Sequence, residues 1–292
     1  MPKKILMTGI TGYLGSQLAK TLLVKGFDVI ALKRKSSSMG RIEPILNEIT
    51  LYDLEVLDYN EPFQSHPEID AVIHTATCYG RNNETARQVA EANTIFPLRL
   101  LDTAISAGVK TFINTDTTLD KYLNSYSLSK NQFMEWGKYF SLQNKIHFIN
   151  MRLEHFYGPG DNDSKFTSYV INSCIENIPK LELTLGEQKR DFIYIDDVIS
   201  AYLILLEKMD TFSDEFNEFD VGSGEAISIK DFVKIVHQLT QSQSFLDFGA
   251  IPYRKGEVML SEINIEPLNQ LGWECKTKLE QGLELTLKGV KQ

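Results

Sequence analysis

The stretch KILMTGITGYLGSQLAK, residues 4–20, decides the fold. It opens as a short apolar strand, turns on Gly9, Gly12 and Gly15, and continues as a helix over 14–25. So tight a strand-to-helix turn needs the backbone freedom of glycine. A pyrophosphate can also reach main-chain N–H groups only where no Cβ intervenes. The first turn of the helix then offers unpaired N–H groups and the positive end of its dipole to the phosphates. Strand, spacing and helix together mark a dinucleotide-binding loop. Thr11, Tyr13 and Leu14 fall inside the turn and join the three glycines as expected cofactor contacts.

Outward from this loop, short apolar runs at 28–32, 71–74, 111–114 and 147–151 read as further strands, with helical patterns at 86–107 and 125–140 between them. Strands alternating with helices imply right-handed crossovers and a parallel sheet. The expected fold is α/β, a Rossmann-type doubly wound sheet. From Tyr157 the texture changes. YGPGDNDS (157–164) is a loop, followed by a helix over 167–177, a strand at 191–195 and a helix over 196–208. This suits a smaller C-terminal α+β substrate lobe. The expected division is 1–157 for the dinucleotide domain and 158–292 for the lobe, with segments such as 190–208 crossing back. Trp273 is read as packing that lobe.

Bulk properties narrow the function. Among 292 residues the formal net charge is −9, which gives no footprint for nucleic acid or an anionic membrane. Cys78, Cys174 and Cys275 are odd in number and far apart, without metal-ligand spacing, so no metal site is expected and a reducing compartment, the cytoplasm, is. No apolar run is long enough to span a bilayer.

The second strand refines the cofactor. An NAD site places an Asp or Glu at its end to bond the ribose 2′-hydroxyl. Here the strand runs on into Lys33 and Arg34, which suit a 2′-phosphate, so NADP is favoured over NAD.

The chemistry resides in TFINTDTTLDKYLNSYSLSK, residues 111–130. Thr117 falls at the carboxyl end of a central strand, where open α/β sheets bind ligands. Tyr126 and Lys130, at i and i+4, share one face of the next helix. A lysine ammonium beside a phenol lowers its pKa and readies it to exchange a proton with a carbonyl oxygen. A threonine hydroxyl on the opposite wall can hold that oxygen. Lys130 can also reach the nicotinamide ribose.

With these residues in view, the chain resembles the extended short-chain dehydrogenase/reductases, the NAD-dependent epimerase/dehydratase family, over essentially its whole length. TGITGYLG and YSLSK carry the resemblance, with HTAT (74–77), Asn93, RLEHFYGPGD (152–161), RDFIYIDDV (190–198) and YRKGEV (253–258). It implies that Thr117, Tyr126 and Lys130 form the catalytic triad. It also implies that Asp53, Leu54, Thr75, Ala76, Thr77 and Asn93 contact the cofactor, and that the chain forms a homodimer. Substrate contacts are implied at Cys78, Tyr79, Arg81, Thr118, His155, Lys165 and Phe166. Arg190 and Arg254 match arginines that grip a substrate diphosphate, a task suited to a planar, permanently charged fork. The alternative for Arg190 is a structural ion pair with Asp191 or Asp197.

Departures from the family pattern narrow the reaction. Sugar dehydratases carry an Asp-Glu pair after the triad threonine; here Thr118 and Leu119 stand there. His155 replaces the family's asparagine, and only nine positions separate Thr117 from Tyr126, fewer than in epimerases of the class. CYGRNNE (78–84), DSKFTS (163–168), GEQKRDF (186–192) and GSGEAIS (222–228) make the chain most similar to the CDP-paratose and CDP-abequose synthases. That implies NADPH-dependent reduction of the C4 keto group of a CDP-4-dehydro-3,6-dideoxyhexose for O-antigen polysaccharide. A dTDP- or GDP-sugar 4-reductase, a 4-epimerase retaining NAD, and a non-enzymatic cofactor-binding sensor or structural subunit are the alternatives.

Overall fold

In the computed structural model, which describes residues 2–55, 58–212, 215–254 and 256–290, the glycine loop joins strand β1 (Lys4–Thr8) to helix α1 (Tyr13–Val24). The strands that follow are β2 (Asp28–Lys33), β3 (Ile49–Asp53), β4 (Ile69–His74), β5 (Thr111–Thr117) and β6 (His147–Leu153). Helices α2 (Glu61–Ser65), α3 (Ala86–Ala90), α4 (Phe96–Ser106) and α5 (Ser125–Ser141) lie between them. Later strands are β7 (His155–Tyr157), β8 (Lys180–Leu183), β9 (Lys189–Tyr194), β10 (Phe216–Val221), β11 (Ala226–Ser228) and β12 (Phe245–Phe248). Helices α6 (Phe166–Ile175), α7 (Ile195–Lys208) and α8 (Ile229–Thr240) accompany them.

One sheet has seven strands in the order β10-β6-β5-β4-β1-β2-β3. β1 pairs in parallel with β2 on one side and β4 on the other, so the strand order reverses at the glycine loop. Ligands of open α/β sheets bind outside the carboxyl ends of the strands at such a reversal. β3 has no counterpart in the strands read from the sequence. Its residues, ITLYD, lie on the sheet edge and none is fully buried, so they lack the apolar run of a central strand.

The expected single helix over 86–107 is divided. The Thr85 hydroxyl accepts from Gln88 N–H in a capping box that starts α3, and a π-helical turn at Glu91–Ile95 separates α3 from α4. Such π turns re-aim single side chains and are frequent at functional sites. Here the residue at the centre of the turn is Asn93.

An apolar core fixes α5 against the sheet. Phe112 of β5 and Phe148 of β6 stack with centroids 5.6 Å apart, and Phe133 of α5 meets both edge-on. Each such buried ring contributes roughly 1.5–3 kcal/mol. A Cβ added at Gly137 would come within 2.3 Å of the Phe148 ring, so α5 approaches β6 more closely than any side chain there would permit.

The chain forms two compact units, residues 1–152 with 202–219, and residues 153–201 with 220–292. This differs in detail from the expected division. The first boundary falls at 152/153 instead of 157/158, and the segment grouped with the first unit is 202–219, not 190–208. The second unit has a three-stranded sheet, β11-β9-β7, and a two-stranded sheet, β12-β8. Phe192 of β9 stacks on Phe232 of α8 at 4.2 Å, and Trp273 is buried with its indole N–H donating to Ser200 Oγ at 2.8 Å. Among the described residues no helix is long and apolar enough to cross a membrane.

Candidate active site

The glycine loop is held by contacts that exclude side chains. Gly9 adopts φ +75°, and a Cβ there would lie 2.5 Å from Ala76 N; one at Gly15 would lie 2.2 Å from Gly9 O. A Cβ at Gly12 would meet only Gly9 O, at 3.2 Å, so the space in front of α1 is open at this point. Gly12 caps α1 without a side chain, and no acidic residue stands in the first turn. This is a cradle of main-chain donors that a side chain would fill, and it fits a pyrophosphate. The Tyr13 and Leu14 side chains are buried, so what these residues can offer a phosphate is their main chain.

The HTAT segment is laced to β1. Thr8 Oγ1 hydrogen-bonds His74 Nδ1 at 2.7 Å, the Thr75 hydroxyl donates to Thr8 O at 2.8 Å, and Ala76 N–H donates to Thr8 Oγ1 at 3.3 Å. The expectation that Asn93 contacts the cofactor meets a difference. Asn93 is fully buried, and its Oδ1 accepts from Cys78 N–H at 2.7 Å and from the Thr77 hydroxyl at 3.3 Å. Its Nδ2 donates to Cys78 O at 2.8 Å and Ser129 Oγ at 3.0 Å. With its amide committed on both sides, Asn93 anchors the 77–78 loop to α5 and does not present itself to a ligand.

A second difference concerns Lys33. Its ammonium is ion-paired with Asp53, the facing residue on β3, and Leu54 N–H donates to Lys33 O at 2.8 Å. Asp53, expected to face the cofactor, thus neutralises the lysine expected to meet a 2′-phosphate. Arg34, the next residue, is exposed.

Across the sheet, β5 and α5 bring the expected triad together. β5 continues through Thr115–Thr117 instead of ending at Asn114, which places Thr117 at its last position. The Asn124 side chain accepts from Ser127 N–H at 2.9 Å, capping α5 just before Tyr126. Thr117 Oγ1 accepts from Leu119 N–H at 3.3 Å, and its hydroxyl is close enough to the Tyr126 phenol to act on its pKa. The expected lowering of the phenol's pKa is reversed. Burial, then the neighbouring Tyr79 and Asp116, push Tyr126 well above its ordinary value; the Thr117 hydroxyl and Arg81 pull the other way without prevailing. Tyr126 therefore keeps its proton throughout the neutral range.

Lys130 is almost completely buried, and burial lowers its pKa to about 8 against the opposing pull of Asp116. It also depresses His74, which burial already holds neutral. Asp116 was not among the residues singled out from the sequence. Its carboxylate accepts from Thr117 N–H at 2.8 Å and from Asn150 Nδ2 at 3.1 Å.

One wall of the crevice comes from the loop after β4. Gly80, at φ +69°, folds the chain so that the Arg81 guanidinium lies 4.8 Å over the Tyr79 ring, and that ring lies 5.0 Å from the Tyr126 ring. Cys78 is held through its main chain by Asn93. Thr118 lines a cavity of about 290 Å³ beside Thr117, with Asp116, Arg152 and Glu218.

The second unit holds the remaining candidates. Arg190 pairs with Glu257, not with Asp191 or Asp197. Asp191 instead accepts from Ser223 and Gly224 N–H, and Asp197 from Lys276 and Thr277 N–H. Lys165 Nζ lies 2.9 Å from Asp161 and 3.6 Å over the Phe156 ring. His155 Nδ1 lies 3.1 Å from Glu154, Phe166 starts α6, and Arg254 is exposed.

The sequence profile of the NAD dependent epimerase/dehydratase family matches residues 5–222, which hold the glycine loop and Thr117, Tyr126 and Lys130. The chain belongs to that family. Among the relatives of this chain are a CDP-abequose synthase of Salmonella muenchen, 37% identical with 98% of this chain and 97% of the relative covered, and one of Salmonella typhimurium strain LT2, 33% identical with 97% of each covered. A UDP-glucose 4-epimerase of Thermotoga maritima, solved with UDP-glucose, has the same fold. Its TM-score is 0.87 at 23% identity, over 99% of this chain and 98% of that one. Among the described residues no cluster of His, Cys, Asp or Glu could hold a metal ion.

Within the family pattern, the residue that sequence reasoning passed over is Asp116. A carboxylate between two threonines at a strand end reads as solvated. The available signal was its position directly before Thr117, in the segment that must line the crevice.

Proposed function

We propose that this family member reduces the C4 keto group of a nucleotide-activated 4-keto-6-deoxyhexose with NADPH. The substrate that fits best is CDP-4-dehydro-3,6-dideoxy-D-glucose, giving CDP-abequose or CDP-paratose for O-antigen polysaccharide. The observation that carries the reading is the proton-loaded Tyr126 phenol beside Thr117 at the carboxyl end of β5. A reductase needs a donor that holds its proton until the carbonyl oxygen gains charge. The names of the 37% and 33% identical relatives support the CDP-dideoxyhexose as substrate.

The Gly9–Gly12–Gly15 cradle would hold the pyrophosphate of NADPH, which when bound would supply a hydride for C4. As that C–H bond forms, the carbonyl oxygen takes the phenolic proton of Tyr126, its O–H bond breaking as the new one forms at O4. Thr117 offers the hydrogen bond that holds O4. Lys130, as an ammonium, stabilises the phenolate that remains and can hold the nicotinamide ribose; Asn93 keeps the loop and helix in register around them. Arg34 is the proposed partner of the 2′-phosphate, and Arg190 and Arg254 are the proposed ligands of the substrate diphosphate. Thr118 and Leu119 offer no acid–base pair, so the reaction ends at reduction and does not eliminate water.

The test is NADPH consumption against 4-keto-6-deoxy sugars carrying CDP, dTDP, GDP and UDP, with NMR of the product at C4. Turnover of the CDP substrate is expected; no turnover across the panel overturns the reading. A 4-epimerase that retains NAD is the second reading, favoured by the pairing of Lys33 with Asp53, which leaves less positive charge for a 2′-phosphate. Its signature is protein-bound NAD on purification and sugar interconversion without added cofactor. A cytoplasmic homodimer belongs to the first reading and is supported by the exposed Trp136 and Tyr139 on α5; light scattering checks it.

A further inference from the structure

Lys130 presents a physical problem that the triad does not solve. Its side chain is 2% exposed, and an ammonium removed from water in this way is costly unless a negative charge faces it. The neighbours on its own helix and on β4 cannot help: Tyr126 stays protonated, and His74 is neutral. The group that acts in Lys130's favour comes from β5, and it is Asp116.

Asp116 is itself fixed by a chain of side chains crossing three strands. Asn114 Nδ2 donates to Asn150 Oδ1 at 2.8 Å, which forces the Asn150 amide nitrogen to face the opposite way. That nitrogen donates to Asp116 Oδ2 at 3.1 Å and to Glu218 Oε2 at 2.9 Å. Glu218 of β10 lies 3.7 Å from Arg152 of β6. Asp116 therefore meets one positive charge, Lys130, and one negative charge, Glu218, the latter balanced by Arg152. Its other oxygen accepts from Thr117 N–H at 2.8 Å.

We infer that Asp116 is a positioning residue for the reaction, whose carboxylate holds Thr117 through its main chain and keeps Lys130 an ammonium inside the protein. One residue thus governs both partners of Tyr126. The buried Asn150 bridge orients the carboxylate, and the cavity lined by Asp116, Arg152 and Glu218 is the side from which protons can exchange with it. The inference rests on the reductase reading for its kinetic consequence but not for the Asp116–Lys130 coupling itself.

Asp116→Asn keeps the shape and the acceptor for Thr117 N–H while removing the charge and, with it, the acceptor for Asn150 Nδ2. In the unaltered enzyme an alkaline limb of kcat/KM is expected from loss of the Lys130 proton. In the variant this limb is expected to move to lower pH by about one unit or more. A uniform loss of activity with the limb in place would mark a merely structural role and overturn the inference. The second measurement needs neither variant nor substrate. In ¹⁵N-lysine, ¹³C-aspartate protein, the Lys130 Nζ resonance is expected to shift with the midpoint at which the Asp116 carboxyl titrates. Lack of a common midpoint sinks the inference while leaving the reductase reading intact. If the protein turns over no 4-keto sugar, the reductase reading falls, and the NMR titration alone decides whether Asp116 holds the charge of Lys130.

Discussion

The glycine loop between β1 and α1 is held by main-chain contacts, whereas the crevice between β5 and α5 is held by side chains. In the loop, Gly9 and Gly15 touch backbone atoms at distances no Cβ would tolerate, and Gly12 leaves the end of α1 open. In the crevice, Thr117, Tyr126 and Lys130 are set by Asp116, Asn150, Tyr79 and Arg81, drawn from three separate segments. The loop therefore tolerates almost no change of size, and the crevice almost no change of charge. Cofactor binding and proton transfer are accordingly separable by mutation.

The sharpest way to break that separation is Tyr126→Phe. It removes the proposed proton donor and leaves the loop untouched, so kcat is expected to fall by about 10² to 10⁴ while the cofactor dissociation constant, read by fluorescence titration, stays within about two-fold. If both changed together, the two regions would not be independent. Gly15→Val attacks the other side, forcing a side chain against Gly9 O. Cofactor affinity should drop by about 100-fold or more, a change of about 2.7 kcal/mol, as isothermal titration can show.

A pH profile addresses the crevice without mutation. Lys130 has a pKa near 8 in the folded chain, so its charge is lost as pH rises through that value. kcat/KM should decline above about pH 8, whereas Tyr126, pushed upward, contributes no limb in the neutral range. The smallest effect is expected from Asp53→Asn, which releases Lys33 from its ion pair. The preference for NADPH over NADH should rise by a few fold, about 1 kcal/mol; an unchanged ratio would remove Lys33 from the account of cofactor choice.

The same contrast explains what could be read from the sequence. The loop was legible because its requirement is local: a glycine is either present at 9, 12 and 15 or not. Tyr126 and Lys130 were legible as neighbours because a helix fixes their spacing. The sign of the Tyr126 shift was not, since burial and the approach of Tyr79 are tertiary facts, and Lys130 faces Asp116 and His74. Likewise nothing near Lys33 in the chain announces Asp53, twenty positions away on a strand whose mixed polarity hid it. Asn93 was expected as a cofactor contact through the family resemblance; its partners are the backbone of Cys78 and the hydroxyl of Ser129.

Gly137 lies eleven positions after Tyr126 on α5, about 16 Å along the helix axis at the usual rise per residue. It acts as a depth stop for a lever whose working end is the phenol. A methyl group at this point would lift the helix from Phe148, and a tilt of only a few degrees there would swing the far end by about 1 Å, a displacement that can cost about 100-fold in rate. The placement of the Tyr126 phenol thus depends on a hydrogen atom packed against a phenylalanine ring, eleven positions away along the helix.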